Sequence, residues 1–139
     1  MSTRNDSTAL AAAAASATRR ANLIAILSWL APGAGYFWLK KWTRGALIAT
    51  AVIGMFLLGL GMQGQIYQFS QLGDLLSILG WIGDVCGGGM YFVTQLLGAG
   101  AGNAYTVWGN YGTTFLISAG LLNLLAATDV RDIALGRKK

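Results

Sequence analysis

Pro32-Gly33-Ala34-Gly35-Tyr36-Phe37-Trp38-Leu39-Lys40-Lys41-Trp42-Thr43-Arg44-Gly45 is the stretch that decides how this chain is read. It lies between two apolar runs and holds the single proline, four aromatics and three basic residues. Pro32 removes a backbone donor and clashes with the preceding helical turn. Gly33 and Gly35 loosen the backbone further. The stretch therefore reads as a helix break inside a membrane. An aromatic collar follows, with Tyr36 and Phe37 at its start, and then a basic surface turn of Lys40, Lys41 and Arg44 that closes on Gly45. The apolar segment carrying the break, residues 22–39, is 18 residues long. That is near the lower limit of about 17–25 residues for crossing a bilayer. The segment is either a kinked span or a half-inserted hairpin that returns to its own side. Backbone broken at membrane depth must be covered by protein or water, so another helix of the chain should pack against residues 32–35.

Composition supports a membrane setting. Hydrophobic residues make up 55% of the 139 and charged residues 11%, whereas about a quarter of an ordinary soluble domain is charged. Mean hydropathy is +0.54. The net charge of +5 comes from basic clusters that flank apolar segments: Arg4, Arg19 and Arg20; Lys40, Lys41 and Arg44; Arg131, Arg137, Lys138 and Lys139. Such clusters are membrane-edge anchors and topology signals, so the expected partner is anionic lipid rather than nucleic acid. The five acids are all Asp, histidine is absent, and Cys86 is the single cysteine. Twenty glycines point to closely packed helices.

The rest of the chain divides around the opening stretch. Residues 1–21 form a polar, alanine-rich, basic N-terminal tail, with residues 8–17 a frayed helix or disordered. Arg19-Arg20 before a short apolar run also fits a secretory signal peptide. Aromatic membrane-edge sequence resumes directly after that run, which favours a first membrane segment. A second span is expected over residues 46–62. On it Ala46, Thr50, Gly54 and Gly61 share one face and Ile48, Val52, Met55 and Phe56 the other. Small residues are expected to form the packing face and bulky ones to meet lipid. Residues 72–102 are either one tilted span or a helix to Cys86, a break at Gly87-Gly88-Gly89 and a second short helix; the triple glycine favours the broken form. Tyr105, Trp108 and Tyr111 suggest an interfacial helical turn. A last span is expected over 112–127, with Thr113, Gly120, Asn123 and Ala127 facing the bundle. Residues 129–139 read as a charged cytoplasmic tail. The membrane domain is thus 22–128, an all-α bundle of about four hydrophobic segments. With an even number of crossings both ends lie on one side, which the positive-inside rule makes cytoplasmic. The basic turn at residues 40–44 fits that side only if the first segment is re-entrant.

The Pro-Gly-x-Gly-aromatic pattern of residues 32–39, the basic turn and Gly45 resemble the signature of a group of small bacterial membrane proteins, distantly similar to the two-transmembrane-helix domain family. The block from Tyr111 to Leu125, with Asp129 and residues 133–138, is similar to one uncharacterised branch of that group. The resemblance implies location, a bacterial inner membrane, and architecture. It implies no activity and no catalytic residues.

The residues themselves offer little chemistry. Without histidine no His-based triad or His/Cys metal site can be built. A phosphate-binding Gly-x-x-x-x-Gly-Lys-Ser/Thr loop is also absent. No metal, cofactor or enzymatic activity is expected. Asp84 and Asn123 are the candidate intramembrane polar site, because a carboxylate inside a membrane is normally paired, protonated or lining water; the plainer reading puts Asp84 at a membrane interface, at the end of a short helix just before the glycine break. Gly54, Gly61 and Gly120 are the candidate helix-packing positions. Two functions follow: a structural or accessory protein that packs against itself or a larger membrane complex through its small-residue faces, and a small oligomeric transporter or ion channel using Asp84.

Overall fold

The computed structural model describes residues 2–68, 70 and 73–138. Six helices follow one another: α1 (Ser2–Leu30), α2 (Ala34–Trp38), α3 (Trp42–Gly61), α4 (Leu75–Val85), α5 (Gly89–Leu97) and α6 (Val107–Ala134). Extended pairing among the described residues is limited to one isolated bridge between Gln65 and Ala101. The expected all-α bundle is therefore observed.

The alanine-rich N-terminal stretch is helical, as its strong intrinsic propensity favours, and residues 6–20 are exposed along the whole run. α1 stops at Leu30 because Pro32 cannot continue it. Gly33 takes φ +82°, and α2 turns back. Leu39, just beyond α2, lines a cleft with Arg20 and Ala21 of α1 and Ala134 of α6. Residues 21–39 are thus a hairpin with both ends at one end of the molecule. The partner expected for its break is α3: a Cβ on Gly33 would lie 2.8 Å from the Gly45 carbonyl oxygen and 3.0 Å from Ala49 Cβ. The hairpin also packs on α6, where a Cβ on Gly35 would lie 2.6 Å from Val130.

A second hairpin forms at the other end. α4 and α5 meet at the glycine run with a bend of 107°. Asp74 caps α4 by accepting from the Leu75 N–H at 3.0 Å. The chain leaving α5 returns to the loop after α3, where the Ile66 N–H donates to the Gly100 carbonyl at 2.9 Å. The broken reading of residues 72–102 therefore describes the geometry.

α3 and α6 run antiparallel through the full height between these hairpins. Gly59 and Gly64 lie against Gly112 at one end, and Val130 lies against Gly35 at the other. α3 has mean hydropathy 1.8 and α6 1.4 over their most apolar windows. These two helices are long and apolar enough to cross a membrane, three if the bent pair is taken as one.

Two expectations are corrected. On α3 the packing face is the bulky one: Val52 and Phe56 are buried with Leu116, Ala119 and Tyr91, while Gly54 and Gly61 meet nothing within 4 Å. Gly45 and Gly59 share that buried face and let α3 approach Tyr36 and Gly112 closely, so the stripe of Gly54 and Gly61 is left open. The charged tail is also shorter than expected. α6 continues to Ala134, because Val130 is fully buried and Asp129 is bonded into the bundle. At the N-terminal side the boundary at 21 falls inside α1, and Ala21 is buried.

Candidate functional site

The two hairpin tips meet on one residue of α6. Asn123 is fully buried, and its Nδ2 donates to the Trp29 carbonyl at 2.8 Å and to the Cys86 carbonyl at 3.2 Å. Trp29 is in the last turn of α1, and Cys86 directly follows α4. Both carbonyls sit at helix C-termini, where the main chain leaves acceptors without helical donors. One amide thus satisfies an acceptor from each hairpin. Gly88 has φ +62° and ψ −127°, and a Cβ there would collide with the Trp29 carbonyl. On the α6 side, a Cβ on Gly120 would collide with the Gly83 carbonyl. Ser28 Oγ and Asn123 Oδ1 are buried with no hydrogen-bond partner among the described residues.

Asp84 and Asn123, paired in the sequence reading, bond to different partners. Asp84 is 4% exposed and accepts from the Tyr67 main-chain N–H at 2.8 Å. Its carboxylate ties α4 to the loop after α3. Asp84 sits in the last turn of α4, just before the glycine break.

The opening motif closes the first hairpin. Gly45 lets α3 approach it: a Cβ there would lie 3.0 Å from Tyr36 Cβ and 3.3 Å from the Phe37 ring. Phe37 also tilts against Trp42 with centroids 5.4 Å apart. Tyr36 is almost fully buried and its hydroxyl donates to Asp129 at 2.8 Å. Lys138 donates to the same carboxylate at 2.8 Å, and that bond holds the Lys138 ammonium above its ordinary value. Sequence reasoning missed the Tyr36–Asp129 pair, which joins residues 93 apart. It carries no local pattern.

Of the basic turn, Lys40 is in the left-handed region at φ +58°, and its N–H donates to the Phe37 carbonyl at 3.1 Å. Lys40, Lys41 and Arg44 line one shallow hollow. They lie at the end that also carries Arg20 and Lys138. The opposite end, with the loops around residues 63–68 and 98–106, has no basic residue.

Chemically, the junction is a structural lock of main-chain carbonyls, one amide and glycines. Among the described residues no three His, Cys, Asp or Glu side chains come together as a metal site.

The chain belongs to a family of unknown function (DUF6677), whose profile matches residues 23–139. The match begins at residue 23 and so leaves out most of α1. No curated protein and no solved structure matches the chain.

Proposed function

We propose that this member of a family without known function is an integral protein of a bacterial inner membrane with a structural or accessory role. On this reading α3 and α6 cross the bilayer, and the two hairpins enter from opposite faces and end at mid-depth. The levels of Gly112 and Val130 on α6 are about 27 Å apart at 1.5 Å per residue, close to the roughly 30 Å of a hydrocarbon core. A re-entrant first hairpin puts the turn at residues 40–44 on the same side as Arg19, Arg20 and the basic C-terminus. The positive-inside rule then favours that side as cytoplasmic, with both termini there.

The observation that carries the role is the tip-to-tip junction at Asn123. It fixes the shape of two broken segments through main-chain carbonyls and one amide, so we read the chain as a scaffold and not an enzyme. The exposed Leu47, Leu57, Leu121 and Leu125 suit lipid or a neighbouring helix. The open stripe of Ala46, Thr50, Gly54 and Gly61 is the face on which a partner helix or a second copy would pack. The test is the mass and composition of the native particle extracted in mild detergent. Other proteins in fixed ratio, or several copies of this chain, would support the role. A lone monomer would overturn it.

A second reading, a small oligomeric transporter or ion channel, draws on one observation: Asp84 is a buried carboxylate. Its bond to the Tyr67 main chain gives the carboxylate a structural partner and favours the first reading. Asp84→Asn protein that keeps its fold in liposomes but loses cation or proton flux would replace the scaffold by the transporter.

A further inference from the structure

Two hollows on the first hairpin share two of their walls. One, of about 530 Å³, opens at the basic end, where Ser16, Arg20 and Ile24 of α1 face Leu39 and Ala134. The other, of about 230 Å³, runs along α1 and is lined by Arg20, Leu23, Ile24, Leu27 and Trp38. Arg20 and Ile24 belong to both. Arg20, Ile24 and Leu27 are spaced by four and three, so they stand on one helical face. A single guanidinium therefore sits at the neck between a surface cleft and a groove whose remaining walls are apolar. Leu27 lies about 10 Å further along the helix axis. Arg20 is exposed and has no hydrogen-bond or ion-pair partner among the described residues. Neither lining includes an acidic residue.

We propose that these two hollows form a site for one anionic phospholipid, its phosphate on Arg20 and one acyl chain along Leu23, Leu27 and Trp38. The planar guanidinium matches phosphate oxygens in a bidentate fork. The polarity changes from charged to apolar along the hairpin, which is the profile of an amphiphile. The groove of about 230 Å³ has Arg20 at one end and Leu23, Ile24, Leu27 and Trp38 as its other walls, which suits a hydrocarbon chain that ends in an anionic group. With no carboxylate in either lining to receive a choline group, a net-anionic headgroup is favoured over a zwitterionic one.

The inference rests on the membrane reading above. The test uses the full-length chain in detergent, titrated with dioleoyl phosphatidylglycerol or phosphatidylcholine and read by native mass spectrometry. One phosphatidylglycerol should be retained in preference to phosphatidylcholine. Arg20→Gln should weaken that retention about tenfold, as expected for loss of a charge-assisted contact. Arg19→Gln, whose side chain lines neither hollow, should leave it unchanged. In wild-type protein, a phosphatidylglycerol with a photoreactive acyl chain should label residues 23–27 and Trp38. Equal retention of the two lipids, equal weakening by Arg19→Gln, labelling spread over all apolar faces, or a second copy of the chain cross-linked in the groove would each overturn the proposal. A chain that fails to enter liposomes at all would overturn the membrane reading itself, a separate outcome.

Discussion

The two hairpins solve one problem with different means. Both reverse a helix half-way along α6, and both leave helix-end carbonyls that need donors. The first does so mainly with side chains, with Gly33 and Gly35 giving its backbone close approach to α3 and α6. Pro32 stops α1, Gly33 turns it, and Tyr36 and Phe37 hold the returning helix α2 against α3 and α6. The second does so with missing side chains. Gly83, Gly87, Gly88 and Gly89 let its backbone lie directly against α1 and α6, and the Asp84 carboxylate ties α4 to the loop after α3. A hairpin built from bulk tolerates trimming, because its contacts are many and each is modest. A hairpin built from absent bulk does not tolerate additions, because backbone cannot move aside cheaply.

That contrast makes Gly88→Ala the most damaging single change. The added methyl meets the Trp29 carbonyl at a φ that disfavours any L side chain. A loss of about 3–5 kcal/mol is expected from backbone strain plus overpacking, seen as a large drop in the detergent melting temperature. Gly98→Ala is the matched control: φ is +64° but nothing lies within 4 Å, so about 1 kcal/mol is expected. Equal losses at the two glycines would break the comparison. Next in size is Asn123→Ala, which strips a donor from both tips at once and should cost about 2–4 kcal/mol. Hydrogen exchange should rise at Trp29 and at Cys86 together; a rise at one alone would mean the tips are not coupled through this residue.

Tyr36→Phe tests the side-chain hairpin. Removing the hydroxyl from Asp129 should cost about 1–1.5 kcal/mol, with opening confined to residues 21–39. The smallest effect on the fold is expected at Gly54→Leu and Gly61→Leu, within about 0.5 kcal/mol, because both positions face open space. The same changes should disturb a larger particle if the small stripe of α3 packs on a partner. A melting temperature lowered in the isolated chain would instead return that stripe to the interior.

Much of the first hairpin was legible in the sequence. A lone proline, flanking glycines and an aromatic-basic turn each act on local backbone or at a membrane edge, so the break and its position follow from residue type. The inward face of α6 was legible for the same reason: Thr113, Gly120, Asn123 and Ala127 recur at helical spacing and are all buried. The face of α3 was misread. In lipid, a small stripe and a bulky stripe can each be the packed one, and the choice depends on what the neighbour presents. Here Gly59 of α3 meets Gly112 of α6, so the close approach lies on the same face as Val52 and Phe56 and not on the stripe of Gly54 and Gly61. The pairing of Asp84 with Asn123 was suggested by their polarity alone, and the register of α4 on α6 gives each a different partner.

The sequence by itself determined an apolar all-helical chain, a helix break at residues 32–35, a second at the glycine run, and charge concentrated near the ends and the one basic turn. These are properties of single residues and of periodicity, which act over a few positions. Only the tertiary structure decided that both breaks fold back, that their tips close on Asn123, that Asp129 belongs to Tyr36, and that the basic turn returns beside Arg20. Those outcomes depend on contacts between residues far apart in the chain. They are selected by which backbone surfaces can approach closely enough to satisfy one another's unpaired carbonyls.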